Sequence, residues 1–161
     1  MESKIKEDEL KIKRIKNGIV IDHIRAGQAL NVCKILNISP GTQKVISIAM
    51  NVESKKMGRK DILKIEERKL EIPEIHKIAI ISPEATINVI ENFEVKQKEN
   101  VKLPEMISGI IKCQNPNCIS NDPQEPVVSK FIRKGAPNNF FLQCYYCGHI
   151  IEEEKLIESI I

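Results

Sequence analysis

Four of the five cysteines in this 161-residue chain lie in two close pairs near its C-terminal end. Cys113 and Cys118 enclose "QNPN", whereas Cys144 and Cys147 enclose "YY" and are followed by a glycine. This spacing is typical of two turns that together bind one tetrahedral Zn²⁺ through four thiolates. Four protein ligands leave no coordination position for water, so we predict one structural zinc ion per chain. Disulfides or a redox-active pair remain the alternatives.

No catalytic group is apparent elsewhere in the sequence. Asp22 and His23 are adjacent on a predicted strand, so their side chains are expected to point to opposite faces and not to bond each other. The chain has only three histidines, and it contains no glycine-rich phosphate-binding loop. We therefore predict a protein that is not an enzyme.

Lysines form the second candidate site. Lys60 and Lys64 are separated by an even number of residues on one predicted strand, and Lys96 and Lys98 have even spacing at the end of another. Each pair should therefore share a face of its strand. Such a basic rim suits a polyphosphate ligand. A solvated sheet edge that uses lysine against aggregation is the alternative.

The elements that would position these residues alternate between strand and helix in the first half of the chain. An alternating segment, "LKIKRI", leads through Asn17-Gly18 into "IVIDHI", and "GQALNVCKILN" has helical spacing. Two strands, "QKVISIAM" and "KDILKIE", a helix in "IPEIHKIAI" and a last strand in "ATINVIENFEV" follow. The order βαββαβ predicts a ferredoxin-like sandwich with an antiparallel four-stranded sheet covered by two helices.

Composition divides the chain into two predicted domains, residues 1–102 and residues 103–161. The first is net basic and the second is net acidic, and "KQKENVKLPE" at 96–105 reads as the junction. The second is short and should be a small β-rich, zinc-ribbon-like domain that depends on its metal. No apolar stretch is long enough to span a bilayer, and the N-terminal residues lack the apolar core of a signal peptide. We therefore expect a cytoplasmic α+β protein with no membrane contact.

Several segments, read in order, resemble the regulatory chain of aspartate carbamoyltransferase. They are "GIVIDHI" (18–24), "MGRKDILKIE" (57–66), "PEATINVIENFEV" (83–95), "LPE" (103–105) and the four-cysteine framework. The resemblance implies a non-catalytic subunit of pyrimidine biosynthesis, with an N-terminal allosteric domain that binds CTP, UTP or ATP. It also implies a C-terminal zinc domain that docks on the catalytic chain. Regulatory chains in this family form homodimers within a dodecamer of six catalytic and six regulatory chains.

The resemblance also implies residue roles. Asp22 and the backbone around Ile15 and Val20 should face the base and ribose, and Lys64 and Lys98 should meet ribose and phosphates. The remaining nucleotide contacts implied are His23, Lys60, Asn88 and Ile90. Asn115 and Asn117 in the first cysteine turn are the implied contacts with the catalytic chain.

Two other interpretations remain open. A zinc-ribbon protein that binds nucleic acid could stack bases on Phe140, Phe141, Tyr145 and Tyr146, although these aromatic side chains could instead pack around the metal site. The acidic charge of this half disfavours binding to a phosphate backbone, so we expect no nucleic-acid partner. A free-standing nucleotide-sensing domain that acts on another enzyme is the second interpretation.

Overall fold

The computed structural model describes residues 14–161, apart from the side chain of residue 153. These residues form two compact units. One comprises residues 14–70 and 84–100, and the other comprises residues 71–83 and 101–161.

The first unit is a five-stranded antiparallel sheet with one helix. Its elements are β1 (Gly18–Arg25), α1 (Ala29–Ile35), β2 (Ile46–Ser54), β3 (Gly58–Glu66), β4 (Thr86–Glu91) and β5 (Glu94–Asn100). The strand order is β2-β3-β1-β4-β5. The first four strands have the order of a ferredoxin-like sheet, and β5 adds a fifth strand at the edge beside β4. The prediction of four strands was therefore one strand short.

Alternation along the central strands separates an apolar face from a polar one. Ile19 and Ile21 of β1 and Leu63 of β3 are fully buried. Helix α1 contacts β2 and β3 and buries Val32 and Cys33. Because side chains alternate along a strand, the intervening residues project from the other face of the sheet. Cys33, the one cysteine outside the two pairs, is thus part of the apolar core.

Three local predictions differ from the structure. The expected strand at 10–15 falls mostly outside the described residues, and residues 14–17 are not in a strand. The expected last strand is split at Asn92 and Phe93, which both have positive φ and turn the chain from β4 into β5. The first half of the expected junction at 96–105, "KQKEN", therefore belongs to β5, an edge strand whose residues are all exposed.

The second unit consists of a helix and a small antiparallel sheet. Its elements are α2 (Ile72–Ile81), β6 (Met106–Ser108), β7 (Lys130–Ala136) and β8 (Asn139–Cys144), in the strand order β6-β7-β8. A capping box begins α2, where the backbone N–H of Glu71 donates to the Glu74 carboxylate at 2.9 Å. Phe131 and Leu142 are buried in the sheet. The buried side chains of this unit come from both its helix and its sheet.

The predicted fold class is confirmed, since the chain is α+β with a β-rich C-terminal part that carries the cysteines. None of the helices in the described part of the chain has the length and apolar character needed to cross a membrane.

Candidate functional site

Four of the residues implied for nucleotide binding form one row across the sheet. Lys64 of β3 is opposite Val20 of β1, Val20 is opposite Asn88 of β4, and Asn88 is opposite Lys98 of β5. Directly opposite residues in antiparallel strands share a face, with Cβ atoms about 5 Å apart. We call Lys64, Val20, Asn88 and Lys98 the central row, and the face that carries them the polar face.

An ion pair lies beside the central row. The Nζ of Lys60 is 2.9 Å from the Oδ1 of Asp22, and both side chains are largely shielded from solvent. Burial alone would raise the pKa of the Asp22 carboxyl. The hydrogen bond from Lys60 and the backbone N–H of His23 outweigh burial, so the pKa is lowered and the group is a carboxylate at neutral pH.

A β-bulge places His23 beside Asp22, contrary to the prediction that they point to opposite faces. Pairing between β1 and β3 shifts register between Ile21 and Ile24, both of which are buried. His23 has a φ of 55°, and its Nδ1 lies 3.8 Å from Oδ2 of Asp22 and 3.3 Å from Oγ1 of Thr86. An extra residue in a strand breaks the two-residue alternation, so parity could not place this side chain.

The imidazole of His23 is held in its neutral form. Burial lowers the pKa of His23, and Lys60, Lys56 and Lys98 lower it further, whereas Asp22 acts in the opposite direction. Three lysines therefore surround one end of the polar face. Lys56, in the turn before β3, is absent from the residues that the sequence implied, and its influence on His23 is evident only in the folded chain.

A second basic group lies near the other end. Burial lowers the pKa of Lys64, and the charge of Arg14 lowers it further. The Nη2 of Arg14 donates to the carbonyl of Phe93 at 3.0 Å, and the Phe93 N–H donates to the carbonyl of Lys16. Arg14 was also missed by the sequence analysis, since nothing in its local pattern connects it to the turn between β4 and β5.

The two remaining implied residues are mostly buried apolar side chains. Ile15 precedes β1, and Ile90 of β4 is opposite Gly18 of β1. Gly18 has a φ of 146°, and a Cβ at this position would lie 2.2 Å from the Ile65 carbonyl oxygen. Only glycine fits there, which leaves the start of β1 without a side chain beside Ile90.

All four predicted metal ligands meet in the second unit. The Sγ atoms of Cys113, Cys118, Cys144 and Cys147 all lie within 4.8 Å of one another. The Cys113–Cys147 and Cys118–Cys144 Sγ distances are both 3.7 Å. A tetrahedron with metal–sulfur bonds of about 2.3 Å has edges of about 3.8 Å. A disulfide requires about 2.05 Å, so these distances fit a metal site.

The pKa values of the cysteines are consistent with a cation-binding site. Burial raises the pKa of Cys113 and of Cys144, since a thiolate is poorly solvated there. For Cys147, burial is outweighed by hydrogen bonds from the His149 backbone and Asn115, which lower its pKa to about 7. Grouped thiolates would repel one another without a metal, so a bound cation supplies the charge that keeps them together.

Hydrogen bonds within each turn hold the ligands in place. The Nδ2 of Asn121 donates to the carbonyls of Cys113 and Asn115 at 2.8 and 2.7 Å. Asn115 Oδ1 accepts the Asn117 N–H at 3.0 Å. Asn115 is therefore part of the turn itself, whereas Asn117 is exposed at its tip. In the second turn, Gly148 has a φ of 77°, and its N–H donates to the Cys144 carbonyl at 3.0 Å.

The aromatic residues of this unit lie mainly at its surface. Phe141 and Tyr145 are about half exposed. Tyr145 meets Tyr146 edge to face, with ring centroids 5.4 Å apart, and Lys130 Nζ lies 5.0 Å from the Tyr145 ring. The expectation that these rings pack around the metal is therefore wrong for Phe141 and Tyr145. Their exposure fits a surface that contacts another molecule.

Comparisons with known proteins match two family domains to this chain. The family model "aspartate carbamoyltransferase regulatory chain, allosteric domain" matches residues 10–102, and the corresponding "metal binding domain" model matches residues 105–157. A relative with the name aspartate carbamoyltransferase regulatory chain, from Methanothrix thermoacetophila, is 50% identical over 147 residues, covering 91% of this chain and 94% of the relative.

Two further relatives carry the same name. The Korarchaeum cryptofilum protein is 47% identical over 154 residues, covering 96% of this chain and 98% of the relative. The Archaeoglobus fulgidus protein is 50% identical over 144 residues, covering 89% of this chain and 94% of the relative.

Proposed function

Because this chain belongs to the family of aspartate carbamoyltransferase regulatory chains, we propose that it binds CTP, UTP and ATP on its polar face and thereby controls a catalytic chain. It is a regulatory, non-catalytic subunit with an allosteric domain and a metal-binding domain.

The central row is the observation that carries the nucleotide proposal. Its two ends are the lysines Lys64 and Lys98, and its middle residues are Val20 and Asn88. Basic groups at both ends of a largely uncharged strip suit a ligand with an uncharged base and a charged polyphosphate. The charges of Lys56, Lys60 and Lys98 all act on His23. This supports the placement of the phosphates near His23.

The other contacts follow from this orientation. The carboxylate of Asp22 accepts a hydrogen bond from a ribose hydroxyl or an exocyclic amine, and Lys60 holds it in position. Lys64 meets the ribose or a phosphate. Val20 and Ile90 supply apolar surface to the base, and the backbone near Ile15 offers it hydrogen-bonding groups.

The metal that we propose is one structural Zn²⁺ per chain. Four thiolates at tetrahedral distances are the preferred ligand set of structural zinc sites, and no ligand position is left for water. Cys113, Cys118, Cys144 and Cys147 would hold the ion. When bound, it neutralises the thiolates and links the two turns.

The proposed assembly has two kinds of contact. The metal-binding domain, residues 103–161, docks on the catalytic chain through Asn117 at the exposed turn, with Asn115 shaping that turn. The allosteric domain, residues 1–102, pairs with a second copy. In support, β2 is an edge strand of the sheet and exposes Ile48 and Met50, and Val45 just before it is also exposed.

The wider setting follows from the family. We propose a cytoplasmic dodecamer of six catalytic and six regulatory chains that acts in pyrimidine biosynthesis, without a nucleic-acid partner.

Titration calorimetry of the full chain with CTP, UTP and ATP tests the nucleotide proposal. At least one nucleotide should bind with one site per chain, and inorganic triphosphate should compete for that site. If none of the three nucleotides binds to a folded, metal-loaded chain, the polar face is not an effector site.

A further inference from the structure

Asp61 of β3 is a buried carboxylate with an exposed fraction of 0%. Burying a charge is costly unless hydrogen bonds replace its hydration. Two backbone N–H groups do so here. Oδ2 accepts from Ala29 at 2.9 Å, and Oδ1 accepts from Asn51 at 2.8 Å.

The two donors belong to irregular points on two different elements. Ala29 is the first residue of α1, and the preceding Gln28 provides no side-chain cap, so Asp61 accepts from an N–H that would otherwise be unpaired. Asn51 has a φ of 58° and lies where the β2–β3 pairing shifts register, between Ala49 and Val52. One carboxylate therefore stabilises both the start of α1 and the bulge in β2.

The same short stretch of β3 borders a second bulge on its other side. Pairing of β3 with β1 shifts register between Ile21 and Ile24, and Ile24 is opposite Asp61. Lys60 and Asp61 are consecutive in β3, so they project from opposite faces. Lys60 bonds the Asp22 carboxylate on the polar face while Asp61 bonds α1 and β2 on the apolar one.

We propose that Asp61 is a positioning residue of the nucleotide site. By fixing the bulge in β2 and the start of α1, it fixes the stretch of β3 from which Lys60 reaches Asp22. Lys60 and Asp22 then hold the bulge that places His23 on the polar face. Asp61 touches no ligand itself and acts through these residues. The proposal rests on the function proposed above.

The test compares Asp61→Asn with the wild-type full chain. The amide has nearly the same shape as the carboxylate, but its NH₂ group cannot accept from a second N–H, so one of the two contacts is lost. Affinity for CTP and ATP should fall about ten-fold, the equivalent of one charge-assisted hydrogen bond.

Titration of the His23 imidazole by NMR in the nucleotide-free chain provides a readout that lost stability alone would not change. The groups that face this ring are Asp22, Thr86, Lys60, Lys56 and Lys98. In the wild-type chain burial lowers the pKa of His23. A loosened bulge exposes the ring, so the titration midpoint should rise toward the ordinary value in Asp61→Asn.

Two further variants complete the experiment. Ile65 lies on the same strand and the same apolar face as Asp61. Ile65→Val should lower thermal stability but change neither the nucleotide affinity nor the midpoint of the His23 titration. Arg59→Ala removes an exposed side chain whose Nη1 donates to the Asn51 carbonyl at 3.2 Å. It should change both readouts in the same direction as Asp61→Asn, but less, and it tests the proposal if Asp61→Asn does not fold.

The outcomes separate this inference from the proposed function. A folded Asp61→Asn chain with wild-type affinity and a wild-type His23 midpoint overturns the positioning role. If Asp61→Asn does not fold, unchanged readouts in Arg59→Ala overturn it instead. If the wild-type chain binds no nucleotide, the proposed function fails, and the His23 midpoint still decides whether Asp61 positions the polar face.

Discussion

Single lysines on the polar face have different surroundings, and this determines what each can do. Lys60 is largely buried and paired with Asp22 at 2.9 Å. Lys98 is exposed on β5 and opposite Asn88. Lys60 is already paired, so its role is to orient Asp22. Lys98 is exposed at the end of the central row, where it can contact a phosphate.

Lys98→Ala should weaken binding of CTP and ATP by roughly ten- to a hundred-fold, because a charge-assisted contact contributes about 1.5–3 kcal/mol. The matched control is Lys96→Ala on the same strand. Lys96 pairs with Glu94 at 3.2 Å and is outside the central row, so its removal should change affinity little. Calorimetry on both full-length variants decides, and equal effects of the two substitutions would place the phosphates elsewhere.

Nucleotide affinity should also depend on pH through His23. In the free chain burial lowers the pKa of His23, so the imidazole is neutral near pH 7. A nearby triphosphate favours the charged form and raises this pKa, so binding takes up a proton. By linkage, affinity should increase as pH falls from about 8 to about 6.

His23→Gln isolates this contribution, because the phosphates of the nucleotide titrate identically with either protein. The difference in binding free energy between wild type and His23→Gln should grow as pH falls. A constant difference over this range would show that His23 does not approach the phosphates.

Among the elements, the two cysteine turns depend on one ion. Cys144→Ser removes one of four thiolates and should reduce the metal content from about one ion per chain to near zero. Because Cys144 ends β8 and the ion would link the two cysteine turns, amide hydrogen exchange in β6, β7 and β8 should then accelerate strongly. Elemental analysis and exchange mass spectrometry provide the two measurements.

Cys33→Ser is the control, since Cys33 lies in α1 and outside the ligand cluster. This variant should keep its metal, although burial of a hydroxyl lowers its stability. Retention of metal by Cys144→Ser, or recovery of the chain with two disulfides, would contradict the four-thiolate site.

The edge strands provide a second prediction at this scale. If β2 pairs with a second copy, Ile48→Lys should weaken self-association by at least about ten-fold, because lysine on an edge strand opposes further pairing. Val95→Lys places the same charge on the opposite edge strand, β5, and should leave association unchanged. Sedimentation velocity distinguishes them, and the reverse order of effects would assign the contact to β5.

Periodic sequence patterns predicted the regular elements but not their irregularities. Alternation located β3, and helical spacing located α1, because burial of one face imposes those periods. The bulge at Asp22 and His23 was missed because its stabilising contact comes from Lys60, far away in the sequence. The bulge at Asn51 was missed for the same reason, since it depends on Asp61.

The clustering of the four cysteines could be predicted from their spacing, which is typical of two ligand turns. Arg14 and Lys56, in contrast, become candidates only in the folded chain, where their charges act on Lys64 and His23.

At the scale of the whole molecule, the chain has a candidate anion site and a four-thiolate site but no catalytic role. A regulatory subunit of this kind acts by changing the equilibrium of its partner. A nucleotide has an effect only if it binds one quaternary state more tightly than the other, typically by about 1–3 kcal/mol. Coupling between two sites is reciprocal. Saturation of the catalytic chain with substrate must therefore change the affinity for nucleotide by the same free energy.

Reconstitution with the matching catalytic chain tests this claim most directly. Aspartate saturation curves are measured for the catalytic chain alone and for the complex, each with and without CTP, UTP and ATP. We expect nucleotides to shift the curve of the complex and not that of the catalytic chain, and the shift to disappear with Lys98→Ala while the complex still assembles. A complex whose aspartate curve is the same with and without all three nucleotides would contradict the regulatory role proposed for the polar face.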